Sequence, residues 1–450
     1  MTLIGLALRS IRHRPASFLA SFIALLLGAV ILMTFASLLD TSTGPNVDAA
    51  THTTLIIMAN VVGGWGLVIV AFTVSSTLAL VLRQRGGDIA LLKCVGATPR
   101  QLRGLIVGEA VAVATIAALV AIAPSVFAGR ELIVLLKNTH QVPAQVSAGF
   151  GPFAIGIGVG ITLLAAVVAA SSAARRAANT AAADAIRTAA LNNPKPTRLR
   201  LVGGALALAG ALSCAIITAT GLTGKGFGQM AVGAQGAILA AIGFALLAPT
   251  LLSRTSGALG VPLRRAGVGG YLTALALRAR THQLAGALVP IILFTAIATG
   301  TLYVQTVQNA VTTVAEPELA RSVETLNYVV VGMIGLFAAL MLVNTLIAVT
   351  VNRKREFGQL RLVGSTPRQV LGTVGIEGVV LAGSGIVLGS IAALATVIPF
   401  SIGKTGAVLP DAPITIYLAV VGTAAVFTLA AGLGAARKAI RTPAVEAAIG

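Results

Sequence analysis

Charged side chains are scarce in this sequence: only 10% of its 450 residues are Asp, Glu, Lys or Arg. A water-soluble domain carries roughly 25% charge, so a soluble globule is excluded. Aromatic residues reach 4%, and two cysteines, Cys94 and Cys214, sit far apart with no C-x-x-C pattern. That spacing excludes a disulfide framework or a thiolate metal cluster. The four histidines are scattered without H-E-x-x-H spacing, so a metal site is not expected. No G-x-x-x-x-G-K-[ST] run occurs, and "GIGVG" at 156–160 lies inside an apolar run, where glycines serve packing. No catalytic residue, metal or cofactor is therefore expected in the chain itself.

Apolar residues fill the space that charge leaves. They make up 56% of the sequence, and the mean hydropathy is +0.95. Ten runs of about 20 apolar residues lie near 16–39, 55–82, 105–129, 149–172, 199–220, 232–253, 284–304, 326–350, 374–400 and 414–436. Backbone groups in hydrocarbon must be paired within their own segment, so each run is expected to be a helix. The fold class expected is an all-α polytopic membrane protein with ten transmembrane helices: two parallel four-helix repeats plus two inserted helices.

The net charge of +19 does not indicate nucleic acid, because Lys and Arg fall in short clusters between apolar runs. With both termini cytoplasmic, the inner segments hold 27 of the 32 Lys and Arg, leaving Arg130, Lys137, Lys225, Arg321 and Lys404 outside. This is the positive-inside bias of a multi-pass cell-membrane protein. The inner clusters also suit anionic membrane lipids as partners. Arg9, Arg12 and Arg14 precede the first run as they would in a signal peptide. That run is too long for a signal core, so an uncleaved helix is expected.

The sequence repeats itself. "VGATPRQLRGLIVGE" (Val95 to Glu109) returns 268 residues later as "VGSTPRQVLGTVGIE" (Val363 to Glu377), with eight of fifteen positions identical. "LALR" occurs at 6–9 and 275–278, Arg85 and Asp88 match Arg353 and Glu356, and residues 173–187 resemble 435–449. The chain divides on this basis into a first half at 1–190, inserted helices five and six with their linker at 191–269, and a second half at 270–450. Each half begins and ends on the same side, so the halves are expected to be parallel, related by an axis along the membrane normal.

Within the repeated segment, Gly86-Gly87 can break the exiting helix, and "DIALLKCVG" forms a short amphipathic piece with Ile89, Leu91 and Leu92 expected on one side. Thr98 is expected to cap a new helix with Pro99 in its first position, and Thr366-Pro367 to repeat the arrangement. A short helix held at a fixed angle to spanning helices is a lever whose apolar side can enter a groove on a soluble partner. Glu109 and Glu377 each fall ten residues beyond their Pro, roughly 15 Å along the helix. A carboxylate there needs a partner. The expectation is a structural or coupling lock to Arg100, Arg103 or a neighbouring helix, rather than a proton relay.

At these residues the chain resembles the FtsX-like, MacB-type family of ABC transporter permeases, whose inner segment reads approximately E-x-G-x-L-r-A-l-G-a-t-x-r-q-i. "REFGQLRLVGSTPRQV" (355–370) fits closely, and "RGGDIALLKCVGATPRQL" (85–102) fits with Asp88 where Glu356 stands in the second copy. The resemblance implies contact with a separate ABC-type ATPase subunit, two copies per chain, which brings ATP and Mg. The coupling residues it implies are Asp88, Leu91, Leu92, Gly96, Thr98, Pro99 and Arg100 in the first copy. In the second they are Glu356, Leu360, Leu362, Gly364, Thr366, Pro367 and Arg368. Residues 40–54 and 305–325 are too short for the large extracytoplasmic domain many relatives carry, leaving room only for a small extracellular or membrane partner. The expected function is export or extraction of a lipid-like molecule, amphipathic drug or peptide. Two alternatives stand beside it: a non-transporting mechanotransmitter acting on an extracellular enzyme or sensor, and an ion-driven secondary transporter.

Overall fold

Among the described residues, long stretches of Ala, Leu, Val and Ile become helix, even across Pro124, Pro290 and Pro399. The computed structural model describes residues 15–49, 86–138, 142–179, 198–221, 226–265, 267–279, 281–312 and 353–449, with scattered positions in 51–63 and 328–346. Among the described residues there is no strand, and eight helices are long and apolar enough to cross a membrane. The runs expected at 55–82 and 326–350 lie largely outside the described residues. The chain forms two compact units, 1–191 and 192–450, so the inserted helices share a unit with the second half.

The first unit contains α1 (Pro15–Ser42), α2 (Gly86–Cys94), α3 (Pro99–Asn138) and α4 (Pro152–Asn179). α1, α3 and α4 pack on one another around a core rich in alanine, including Leu25, Leu32, Ala114, Ala117, Ala166 and Ala170. Small side chains let these backbones approach closely, which is how helices associate where lipid offers no hydrophobic drive. At the far end of α1, the Asp40 carboxylate accepts from the N–H groups of Phe153 (3.1 Å) and Ala154 (2.8 Å). It thereby satisfies orphan donors of α4's first turn. Thr41 Oγ1 accepts from Gly149 N–H at 3.0 Å and closes the same corner.

The second unit comprises α5 (Arg198–Ile216, continued by a π turn at Ile217–Gly221), α6 (Gly226–Arg265), α7 (Gly267–Ala279), α8 (Thr281–Thr312), α9 (Lys354–Leu362), α10 (Pro367–Thr405), α11 (Ile414–Ile440) and α12 (Ala444–Ile449). Among the described residues α8 is the most enclosed spanning helix, packed against α6, α10 and α11. Its closest neighbour is α10, where Gly385 and Gly389 form a G-x-x-x-G stripe. A Cβ on Gly385 would lie 2.6 Å from Ile291 Cγ2, and one on Gly389 2.6 Å from Thr295 Cβ. The inserted helices dock on this pair: Thr396 Oγ1 of α10 donates to Gly233 O of α6 at 2.6 Å. α5 is tied to α6 by Arg200, which donates to the carbonyls of Leu246 (2.6 Å) and Ala245 (3.3 Å). Pro249 explains that target, since it lacks the N–H that would bond Ala245 O and its ring crowds the turn below.

Candidate functional site

The two copies of the repeated segment fold alike in local detail. α2 (Gly86–Cys94) and α9 (Lys354–Leu362) each have nine residues, and the helices after them begin at Pro99 and Pro367. α2 and α9 end the same way. Gly96 (φ +96°) and Gly364 (φ +105°) take left-handed backbone that an L-residue with a Cβ resists. Gly96 N–H donates to Lys93 O (3.0 Å) and Ala97 N–H to Leu92 O (3.0 Å); Gly364 and Ser365 bond Arg361 O (3.1 Å) and Leu360 O (2.9 Å) in the same manner. This paired closure is the Schellman motif.

Two residues later a new helix starts in each copy. Thr98 N–H donates to Gln101 Oε1 (2.9 Å) while Gln101 N–H donates to Thr98 Oγ1 (3.3 Å). Thr366 and Gln369 repeat this reciprocal capping box at 2.8 and 3.3 Å. Thr98 and Thr366 are therefore caps and Pro99 and Pro367 first residues, as the sequence indicates. In Val-Gly-x-Thr-Pro-Arg-Gln, the Gly, Thr, Pro and Gln are each accounted for by backbone geometry. The Val and the Arg are not. Val95 is 84% and Val363 89% exposed, and Arg100 and Arg368 are exposed too.

The inner sides of the short helices are anchored. Ile89 belongs to a core with Leu102, Ile106 and Ala174; Phe357 belongs to one with Val370, Val374 and Ala436. Leu91 and Leu92 are exposed, so the expectation of Ile89, Leu91 and Leu92 on one side does not hold. At 100° per residue, Leu91 stands some 200° from Ile89 and must face away when Ile89 is buried. Leu360 is partly buried beside Phe357, whereas Leu362 is exposed. Asp88 lies in the first turn of α2, and its side chain is outside the described residues.

Behind the second short helix sits an ion pair. Glu377, 3% exposed, receives both ends of the Arg353 guanidinium, itself 5% exposed: Nη1 donates to Oε2 and Nη2 to Oε1 at 3.1 Å. Arg353 Nε reaches Glu356 Oε2 at 3.3 Å, and the guanidinium lies 5.0 Å from the Phe357 ring centroid. Burial disfavours its charge, yet Glu377 and then Glu356 outweigh that penalty and hold its pKa above the ordinary value. Glu109 in α3 is likewise buried at 3% and is engaged rather than free. Glu377 thus has an arginine partner from a neighbouring helix, one of the alternatives anticipated from sequence: Arg353, at the root of α9. The signal was available, since Arg353 occupies the position that Arg85 holds in the first copy.

Sequence reasoning missed two further features. The exposed valines were not singled out, and neither was Arg361, whose Nη1 donates to Ile440 O and Thr442 O at 2.9 Å each. Two polar residues in or beside apolar runs are occupied locally: Asn60 Nδ2 donates to Ile56 O (2.9 Å) and Gln305 Nε2 to Asn309 Oδ1 (2.6 Å). Among the described residues no group of His, Cys, Asp and Glu is arranged to hold a metal, and Cys94 and Cys214 are free thiols.

No curated protein matches the chain. A family model described as FtsX-like permease C-terminal matches it twice, over residues 60–180 and 328–444, and each match contains one short helix with its capped successor. Together the two matches span more than half of the sequence, and the chain belongs to the FtsX-like permease family, membrane subunits that work with a separate ABC-type ATPase.

Proposed function

We propose that the chain is the membrane subunit of an ABC exporter or extractor in which α2 and α9 are the docking elements for the ATPase. One chain carries two such elements and therefore takes two ATPase copies, through which ATP and Mg enter. Both elements and both termini face the cytoplasm, and ten spans form two parallel halves flanking the inserted pair, in keeping with the positive-inside bias. The cargo is lipid-like, or an amphipathic drug or peptide. Among the described residues the buried charged side chains are Glu109, Arg353 and Glu377 alone, which leaves apolar and small polar surface for such a molecule and no relay for an ion.

One observation carries the reading. Each tip presents a valine just past the short helix and an arginine in the first turn of the spanning helix that follows, and the local fold requires neither. An apolar contact flanked by positive charge suits a groove with an acidic rim, where the apolar part supplies affinity and the charge steers. The test is co-purification with the ATPase subunit encoded beside this chain. V95D with V363D, and R100E with R368E, change exposed positions and should leave folding within about 0.5 kcal/mol. Both pairs are expected to abolish ATPase capture while the protein inserts normally. Capture at the wild-type level by both variants would overturn the assignment.

A further inference from the structure

We infer that Arg361 is a positioning residue that fastens α9 to α11, so that force on the docking helix reaches two spanning helices instead of one. The inference rests on the docking role given to α9 above.

α9 is held at its root by Arg353, which grips Glu377 of α10. At its other end Arg361 donates to Ile440 O, the last residue of α11, and to Thr442 O in the turn before α12, both at 2.9 Å. The last carbonyls of a helix lack intrahelical donors and carry partial negative charge, so a guanidinium is a fitting partner there. Between these ties, Phe357 and Leu360 pack in one cluster with Val370 and Val374 of α10 and Ala436, Ala439 and Ile440 of α11. α12 packs against α9 as well, closing the segment after α11 over the same helix.

At the end opposite Arg361, the hydroxyls of Ser390 and Tyr417 lie 2.9 Å apart between α10 and α11, and among the described residues α10 and α8 also pack along α11. Its buried positions are Val420, Ala424, Thr428, Gly432 and Ala436, a single narrow stripe of mostly small side chains. Large side chains such as Leu418, Val426 and Phe427 are exposed. A helix gripped along one thin stripe follows its neighbours weakly unless something pins its end. Arg361 supplies that pin, and it lies on the docking helix itself. If it served only to cap α11, losing it would soften α11 equally with and without nucleotide. A positioning role makes the loss depend on nucleotide.

The experiment uses the full chain in lipid nanodiscs with the ATPase subunit encoded beside it. Trp65 is the single tryptophan, so W65F with V426W places one fluorescent reporter on α11. In this background the reporter should respond to ATP plus vanadate. R361Q, and R361M as a variant that keeps the apolar stem, should retain the ATPase but lose about fivefold or more of that response. With C94S and C214S in place, a thiol crosslink between L360C and A439C should restore the response to R361Q, and reduction should abolish it again. A full response in R361Q and R361M, or no recovery on crosslinking, would overturn the inference while leaving the docking assignment intact. Failure of the unsubstituted chain to retain the ATPase would overturn the docking assignment and this inference with it.

Discussion

Arg353 and Glu377 meet as a two-pronged buried pair, joining the root of α9 to the third turn of α10. The ion pair is enclosed by Phe357 and Glu356, so neither charge has water to fall back on. Breaking such a pair from one side leaves a stranded charge, which typically costs about 3–5 kcal/mol. R353A or E377A should therefore lower the thermal unfolding midpoint of the purified protein strongly. The double replacement R353M/E377L should recover most of the loss, because an apolar pair strands nothing. The pair's sensitivity to alkali follows from Arg353. Its pKa is raised on folding, so its stabilising effect is complete below the unfolded value and fades only as pH climbs through the still higher folded value. The stability difference between wild type and R353M/E377L should thus stay flat between neutral pH and about pH 10.

Gly96 and Gly364 should both resist replacement, for a reason that owes nothing to crowding. A Cβ at either would meet nothing within 4 Å, yet the backbone stands at φ +96° and +105°. G96A and G364A should each cost about 1–2 kcal/mol from left-handed strain alone. Hydrogen exchange should locate the effect in the amides of Gly96 and Ala97, or Gly364 and Ser365. Gly383, which has φ in the ordinary range and open space around it, should accept Ala without loss.

The capping boxes predict a graded series. T366A removes the acceptor for Gln369 N–H and should cost about 1 kcal/mol, whereas T366S and T366D should be nearly neutral. T98A should behave like T366A, since Thr98 and Gln101 make the same exchange. Amide exchange in the first turns of α3 and α10 measures this directly.

Packing between α8 and α10 admits a sharper test. A Cβ on Gly389 would stand 2.6 Å from Thr295 Cβ and 2.9 Å from the backbone oxygen of Ile292. Because the obstacle includes backbone, side-chain rotation cannot relieve it, and G389V should cost about 1–3 kcal/mol or more. Trimming the opposing Thr295 to glycine in the same chain should return part of that loss, as read by thermal unfolding in detergent.

Much of this architecture was legible because lipid simplifies the rules. Runs such as 284–304 had to be helices, and the cap residues Thr98-Pro99 and Thr366-Pro367 announced where the next helices begin. The phase of a nine-residue helix was harder, since Ile89, Leu91 and Leu92 are all apolar and only packing against Leu102 and Ile106 decides which of them is covered. Long-range partners were harder still. Arg361 reaches Ile440 and Thr442 through backbone acceptors that leave no trace in residue type, and although Pro249 marks a freed carbonyl, nothing in the sequence names Arg200 as the donor that reaches Ala245 and Leu246. Glu377 showed that a partner was needed, but its own helix offers one arginine, Arg368, and the one that pairs with it, Arg353, lies beyond α9 and a turn.

The length of α10 has a mechanical consequence. Its 39 residues extend roughly 60 Å, about twice the hydrocarbon thickness of a bilayer. Glu377 divides that rod into a short arm of some 15 Å and a long arm of some 45 Å, at 1.5 Å per residue. Were that rod to turn rigidly about the carboxylate, displacing the near end by a given distance would swing the opposite end about three times as far. Under the docking proposed for α9, a stroke of only a few ångströms at the short arm would reach the other end of the helix enlarged.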